Sequence, residues 1–332
     1  MEFSLKTGDP VGQKTACAIV PVFDGSPLPA VTRALDKACG GRIAALVRSG
    51  EISGDPGKTL MLHNLDGIGA KRVLAVGCGP KKAWSRKGLY RATAAAVRAI
   101  SGKSIGNVVS YLADESPVES DAYYCARLSV EAASAAAYRF DELKSKSAAE
   151  FKLRRFGIAV DRSDTEAAKQ GVAHGEAIAA GTKIARQLGD RPANVCTPTH
   201  LAEVARDIAD GIDTLTTKVF GPKEIEKLGM GSFLSVSQGA AEPPRFIVMH
   251  YRGAGKKDAP IALCGKGVTF DTGGISIKPS PKMDEMKFDM CGAAGVIGTM
   301  AAIAQMQPEI NVVAVVPACE NMPGSAATRP GD

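Results

Sequence analysis

Short apolar runs rich in β-branched residues alternate with alanine-rich segments of helical spacing along most of the chain, and this alternation restricts the fold more than any other feature. In the first half, the patterns that predict strands cover residues 15–22, 59–63, 72–76, 107–112 and 156–160, and those that predict helices cover 28–39, 85–100 and 119–138. Such alternation is typical of a sheet with helices packed on its faces.

The second half repeats the pattern after a polar turn at residues 161–165. A long helix is predicted from about Glu166 to Leu188, closed by Gly189 as a C-terminal glycine. Further helices are predicted at 199–209, 222–228 and 293–306, and strands at 215–220, 246–251, 261–264 and 312–316. The remaining residues, from Glu320 onward, have the composition of a loop.

We therefore predict an α/β protein of two domains, each with a mostly parallel or mixed sheet flanked by helices. A length of 332 residues exceeds one ordinary hydrophobic core. The predicted boundary separates an N-terminal α/β domain, 1–162, from a second domain, 163–332, and the long helix is an alternative connector. Because the last core strand leads directly into a loop, we expect the second domain to be incomplete at its C-terminus.

Composition and charge exclude several classes of protein. Apolar residues make up 45% and charged residues 23% of the chain, as in soluble globular proteins. The net charge of +6 comes from scattered basic residues, which is weak evidence for a nucleic-acid partner. The N-terminus has no secretory pattern, and no apolar run approaches the roughly 18 residues of a membrane span. The sequence predicts a cytoplasmic protein with no membrane partner.

The eight cysteines form no CxxC pair, and several lie in apolar runs, so we expect buried, reduced thiols rather than disulfides. Other motifs are absent or misplaced. Two GxG motifs beside strands do not extend to GxGxxG, and no P-loop motif is present. A GxSxG at 102–106 lies between a helix and a strand, the reverse of a nucleophile elbow. None of the four histidines belongs to an HExxH motif, so a histidine and cysteine zinc site is not expected.

Residues 261–292 carry the candidate chemistry. A buried strand leads into Lys266, which is placed at the carboxyl end of a strand, where open α/β sheets build their sites. Asp271 follows beside two glycines that permit a sharp turn. Lys278 comes next, and Asp289 lies just before a helix of small residues. On charge pattern alone, a glycine-rich turn with a helix-capping aspartate is as good an interpretation as a functional site.

The motif Val-Thr-Phe-Asp-Thr-Gly-Gly-Ile-Ser-Ile-Lys-Pro, residues 268–279, resembles the signature of the leucyl aminopeptidase family, also called the cytosol aminopeptidases. The order and spacing of Lys266, Asp271, Lys278 and Asp289 are similar to those of that family's active site. Further similarities lie at residues 194–198, 320–323 and 329–332. The first half resembles the family's variable N-terminal domain only in general layout.

The resemblance implies a metal-dependent aminopeptidase with two divalent metal ions, Mn²⁺ or Zn²⁺, per subunit. Asp271 would bridge the ions, Lys266 and Asp289 would hold one of them, and Lys278 would act on the substrate as a catalytic residue. Carboxylates suit such ions, and a metal-bound lysine must be neutral. The resemblance also implies peptide substrates, a preference for N-terminal leucine and a homo-hexamer; it implies no other cofactor.

The family carries a second motif, Asn-Thr-Asp-Ala-Glu-Gly-Arg, shortly after the position where this sequence stops, and its acidic residues complete the metal site. Asp332 belongs to a different motif. The resemblance thus implies that the 332 residues alone are inactive. Two alternatives remain: a nucleic-acid- or nucleotide-binding protein with a vestigial peptidase half, and a different two-metal hydrolase. The second is disfavoured because lysine is a rare metal ligand.

Overall fold

The computed structural model describes residues 1–146 and 151–332, which form two compact units, Met1–Ala179 and Ala180–Asp332. The division falls within one long helix, Thr165–Asp190 (α5). The boundary predicted between residues 162 and 163 stays a prediction. The alternative, in which the long helix connects the domains, agrees with this division.

The first unit is built on a six-stranded sheet of order β1-β6-β5-β2-β4-β3. Its strands are β1 (Glu2–Lys6), β2 (Ala18–Asp24), β3 (Thr59–His63), β4 (Arg72–Pro80), β5 (Asn107–Ser110) and β6 (Arg155–Ala159). All neighbours run parallel except β3, which is antiparallel to β4. The predicted α/β class with a mostly parallel sheet is confirmed for this unit. The sequence pattern did not predict β1, a short and partly exposed edge strand.

Helices cover both faces of this sheet. They are α1 (Ala30–Ala38), α2 (Arg42–Arg48), α3 (Arg86–Ile100) and α4 (Ala122–Ala137). Side-chain oxygens of Ser85 and Asp121 accept backbone N–H bonds at the starts of α3 and α4, which fixes where these helices begin. Strand β2 sends Ile19 to one hydrophobic core and Val20 to the other. Burial on both faces explains its continuous apolar sequence.

The second unit has a mixed five-stranded sheet of order β10-β11-β8-β7, with β9 also paired to β11. Its remaining elements are α6 (Pro198–Ala209), β7 (Leu215–Phe220), α7 (Pro222–Lys227), α8 (Gly231–Ser237), β8 (Arg245–Arg252), β9 (Ile261–Cys264), β10 (Gly267–Asp271), α9 (Cys291–Met306) and β11 (Asn311–Asn321). Strands β9 and β10 run parallel to β11, whereas β8 is antiparallel to both β7 and β11. The predicted mixed sheet is confirmed.

Helix α9 lies in the core of the second unit. Its buried residues include Ile297 and Met300, which share a hydrophobic cluster with β8 and β11. Among the described residues, one helical stretch, Met283–Met306, is long and apolar enough to span a membrane by length and composition. Half of its apolar window is buried inside the fold, and the core helix of a soluble protein meets the same criteria.

Two details of the sequence prediction were wrong. Gly189 does not end α5, which continues to Asp190. A Cβ at Gly189 would lie 3.2 Å from the Cys291 sulfur, so close packing accounts for this glycine better than a helix stop. Strand β11 extends past residue 316 to Asn321 despite Pro317. On one side of β11, pairing with β9 ends at Val315 and pairing with β10 begins at Ala318. Pro317 lies between these two paired stretches.

Candidate functional site

Lys266 lies in the two-residue link between β9 and β10, at the carboxyl end of β9 as predicted. Its carbonyl oxygen accepts a hydrogen bond of 2.8 Å from the N–H of Ala293, at the start of α9. The preceding Gly265 permits this approach, because a Cβ there would lie 2.7 Å from the carbonyl oxygen of Gly292. The link is therefore held directly against the first turn of α9.

Asp271 is the last residue of β10, after an irregularity in the pairing of β10 with β11. Its Oδ1 accepts hydrogen bonds from Gly273 N–H at 3.0 Å and from Asn321 Nδ2 at 2.8 Å. Its Oδ2 accepts a bond of 2.6 Å from Lys278 Nζ. Burial favours the neutral acid, but these hydrogen bonds outweigh it, so the pKa of Asp271 lies below its ordinary value of 3.8.

The turn after Asp271 depends on two glycines. Gly273 and Gly274 have φ angles of 86° and 69°, in the left-handed region that favours glycine. The Thr272 N–H and hydroxyl both donate to the Asn321 carbonyl oxygen, at 2.9 and 2.8 Å. The Lys278 N–H returns to the Thr272 carbonyl oxygen at 2.8 Å, which closes the loop and carries the lysine back to Asp271.

Asp289 lies in a 3₁₀ segment, Met283–Met290, rather than at the N-terminal cap of α9. Its Oδ2 accepts a hydrogen bond from Lys266 Nζ, so these two residues form an ion pair. The same segment contacts the other pair, because Met286 Sδ lies 3.3 Å from Lys278 Nζ. The lysine side chains are 59% and 36% exposed, whereas the Asp289 and Asp271 carboxylates are 23% and 17% exposed.

All four residues predicted from the sequence thus lie in one region, joined as Lys266–Asp289 and Lys278–Asp271. Their proposed roles are not established by this proximity, and stay predictions. Asn321 and Met286 were not among the residues predicted to form the site. Asn321 lies in the Glu-Asn-Met-Pro motif, so a signal for it was present, whereas nothing in the sequence pattern pointed to Met286.

The donors of this region suit a divalent cation. Each aspartate has a lysine amine at hydrogen-bonding distance, and a carboxylate with a neutral amine can ligate hard or borderline ions such as Mn²⁺ and Zn²⁺. Within residues 1–146 and 151–332, no three His, Cys, Asp or Glu side chains group as a metal site. A metal ion in this region would therefore need donors besides the carboxylates of these residues.

The other motif residues lie outside this group. His174 Nδ1 hydrogen-bonds the Tyr123 hydroxyl at 2.9 Å, and His200 Nε2 contacts Arg191 at 2.7 Å. The GxSxG at residues 102–106 follows α3 and precedes β5, so it has the reverse of the order that a nucleophile elbow requires.

Two family models match the chain. Residues 19–147 match the N-terminal domain of the cytosol aminopeptidase family, and residues 183–332 match the catalytic domain of the same family. Both halves, rather than only the motif-bearing half, are therefore similar to this family.

Curated relatives agree. A probable cytosol aminopeptidase of Cupriavidus pinatubonensis is 46% identical over 349 residues, an alignment covering 100% of this chain and 68% of the relative. A probable cytosol aminopeptidase of Burkholderia ambifaria is 46% identical, again with 100% and 68% covered. This coverage agrees with the expectation that the chain is shorter than members of the family.

Solved structures are similar as well. A mutant of tomato leucine aminopeptidase matches with a TM-score of 0.85 and 26% identity, over 100% of this chain and 65% of that one. The bottromycin maturation enzyme BotP in complex with Mn matches with a TM-score of 0.77 and 30% identity, over 96% and 62% of the two chains. The chain thus spans slightly less than two thirds of these structures.

Proposed function

The chain belongs to the cytosol aminopeptidase family, and we propose that the whole protein is a metal-dependent aminopeptidase that hydrolyses the N-terminal residue of peptides, preferring leucine. The observation that carries this proposal is the pairing of Lys266 with Asp289 and of Lys278 with Asp271 in one region. The shielded carboxylates suit cation binding, and the lysine amines beside them can ligate a cation when neutral or donate to a substrate when protonated.

We propose that Lys266, Asp271 and Asp289 hold two divalent ions, Mn²⁺ or Zn²⁺, with Asp271 shared between them. When bound, the ions would lower the pKa of a water molecule and polarise the scissile carbonyl group. Lys266 must lose its proton to serve as a ligand, and neighbouring positive charge favours that loss. Asp289, now paired with the Lys266 ammonium, would then be free to ligate.

The remaining residues act on the substrate and on Asp271. Lys278, kept protonated, would donate a hydrogen bond to the oxygen that gains negative charge when the peptide carbonyl is attacked. Asn321 and the Gly273 N–H hold Oδ1 of Asp271, so the carboxylate keeps one orientation when Lys278 turns from it to the substrate. The free α-amine of the substrate would supply a further ligand to one of the ions, which would account for exopeptidase specificity.

The family further suggests a cytoplasmic homo-hexamer, and we extend both properties to the whole protein as proposals. The alternative of a nucleic-acid- or nucleotide-binding protein with a vestigial peptidase half is not favoured by the comparisons, since both halves match the aminopeptidase family.

The proposal is tested by Mn²⁺- or Zn²⁺-dependent hydrolysis of leucine p-nitroanilide. We expect activity from the protein extended to the length of its relatives and none from the 332 residues alone, because the family's second acidic motif is not among them. Activity of the 332-residue chain would contradict this expectation. A folded, metal-loaded extended protein without activity would contradict the aminopeptidase proposal itself.

In the extended protein, Asp289→Asn should lower kcat/KM by about 10²–10³-fold, the usual cost of removing one electrostatic group from an active site. Asp284→Asn is the matched control, because Asp284 is an exposed aspartate of the same 3₁₀ segment. Its activity should stay within about twofold of the unmodified protein, since surface substitutions seldom matter. Equal losses in both variants would show that the segment, and not the Asp289 carboxylate, is required.

A further inference from the structure

A cleft of about 650 Å³ lies in the first unit, well apart in sequence from the motif residues. Its lining includes the last residue of β1, Lys6, the last residue of β6, Ala159, and the residue that follows β5, Tyr111. Because β1, β6 and β5 are parallel, their carboxyl ends meet at one edge of the sheet. Ligands of open α/β sheets bind at this edge, and the volume lies within the range of small-molecule sites.

The cleft also lies at the point where the sheet reverses its winding. Strands β3 and β4, which follow β2 in the chain, lie on one side of β2, whereas β5 and β6 lie on the other. Helix α1, which follows β2, contributes Ala30, Val31 and Ala34 to the lining. Its first turn has no side-chain cap and no acidic residue, so the free N–H groups and the positive end of the helix dipole remain available.

The hydroxyl group of a largely buried tyrosine faces this cleft. Tyr111 is 5% exposed, and within the described part of the chain its hydroxyl makes no hydrogen bond. Burial, with the negative charges of Asp9 and Asp114, raises the pKa of Tyr111 to about 12, so the hydroxyl keeps its proton. The hydroxyl atom itself is open to the cleft, so it can donate a hydrogen bond to a ligand bound there.

Charged side chains of both signs line the cleft without pairing. Lys6 and Arg162 carry positive charge, Asp114 and Asp161 carry negative charge, and residues 1–146 and 151–332 provide an ion-pair partner for none of them. Opposite charges that line one cleft but stay apart can be bridged by a ligand that itself carries both signs. The apolar lining of Val31, Ala34 and Pro10 would contact its uncharged part.

We propose that this cleft binds a small zwitterion of the short-peptide class, with its carboxylate toward the basic side chains and its ammonium toward the acidic ones. A carboxylate also suits the uncapped first turn of α1. This binding does not depend on the proposed hydrolysis, since every lining residue lies within the first unit.

The test is isothermal titration of the full chain with trialanine in the presence of a metal chelator, which prevents hydrolysis. We expect binding of one trialanine per chain, and at least about tenfold weaker binding of N-acetyl-trialanine amide, which lacks both charges. Equal affinity for the two compounds would overturn the proposal. Tighter binding of AMP than of trialanine would assign the cleft to a nucleotide instead.

Variants locate the bound peptide. Arg162→Gln and the cleft-filling Ala34→Leu should each weaken trialanine binding by at least about fivefold. The control is Arg33→Gln, an exposed residue of α1 outside the lining, which should bind normally. Asp271→Asn should also bind normally; loss of binding there, with retention in the cleft variants, would place the peptide at the candidate active site and overturn the proposal. Far-ultraviolet circular dichroism of each variant confirms the fold.

Discussion

The candidate active site and the cleft of the first unit both contain basic residues and aspartates near the carboxyl ends of parallel strands. They differ in whether these charges form ion pairs. In the candidate site, each carboxylate has a lysine at hydrogen-bonding distance. Around the cleft, the described residues leave four charged side chains without an ion pair. The first region therefore holds its charges in internal pairs that an incoming cation must replace, whereas the second offers charges that no other group has neutralised.

The two units also differ in their thiols. All four cysteines of the first unit, Cys17, Cys39, Cys78 and Cys125, are buried, while Cys264 and Cys291 of the second unit are exposed. The expected buried, unpaired thiols are thus confirmed for six of the eight. The two exceptions flank the segment that carries the candidate active site.

The largest expected effect is in thiol reactivity. We expect two of the eight thiols, Cys264 and Cys291, to react with DTNB in the native chain at least about 100-fold faster than the rest, because the others require unfolding. Burial raises the pKa values of Cys17 and Cys78 to about 12, which further slows their reaction. Denaturant should release all eight. Fast reaction of Cys17, Cys39, Cys78 or Cys125 would show that the first unit opens readily.

A substitution at Gly265 tests the packing of the candidate site alone. Gly265→Ala should lower the free energy of unfolding by about 1–3 kcal/mol, because the added Cβ meets the backbone of Gly292 and Ala293 at 2.7 and 2.8 Å. The control is Gly295→Ala in α9, where nothing lies within 4 Å and a gain of about 0.5–1 kcal/mol is expected from the helical preference of alanine. Urea denaturation measures both. Equal stability of the two variants would refute the close approach.

Two buried tyrosines, one in each unit, allow a direct comparison of the two units. The Tyr251 hydroxyl in the second unit donates to the Pro308 carbonyl oxygen at 3.0 Å, so Tyr251→Phe should cost about 0.5–1.5 kcal/mol. Tyr111→Phe removes a hydroxyl without a partner among the described residues, and should change stability by less than about 0.5 kcal/mol or increase it. Chemical denaturation without added ligand decides this. A larger loss for Tyr111→Phe would mean that its hydroxyl is already satisfied.

The smallest effect concerns pH. Burial, together with the charges of Asp161 and Glu115, raises the pKa of Asp114 above its ordinary 3.8. The folded chain then binds more protons than the unfolded chain, so this residue lowers stability as pH rises from about 3.8 through the raised pKa. The Asp114→Asn variant lacks this loss of stability, so its free energy of unfolding should increasingly exceed that of the unmodified chain as pH rises across that range. Parallel stability curves between pH 3.5 and 7 would contradict the raised pKa.

Most of the fold could be predicted because the signals were local. Strands β3, β7 and β9 match their predicted bounds, since apolar runs with turn residues at both ends define them. The edge strand β1 and the short helices α2 and α8 were missed, because tertiary packing rather than periodicity stabilises them. Strand β11 was predicted too short at Pro317, whose position between two neighbouring strands is a property of the sheet and not of the local sequence.

The candidate site could be predicted because its four charged residues lie within one short segment of distinctive spacing. The part contributed by Asn321 was not, since its contact with Asp271 joins positions 50 residues apart. The cleft of the first unit was missed entirely, because its lining comes from four separate segments and contains no motif. A site is therefore easier to predict from the sequence when all of its residues come from one short segment.

The contact between Asp271 and Asn321 also sets an order of events during synthesis. Asp271 is synthesised 50 residues before Asn321, and until then its Oδ1 lacks the amide that later fixes it. The first unit can complete its sheet in that interval, since proteins generally fold domain by domain from the N-terminus. The candidate site is consequently among the last parts of the described chain to form, after the cleft of the first unit.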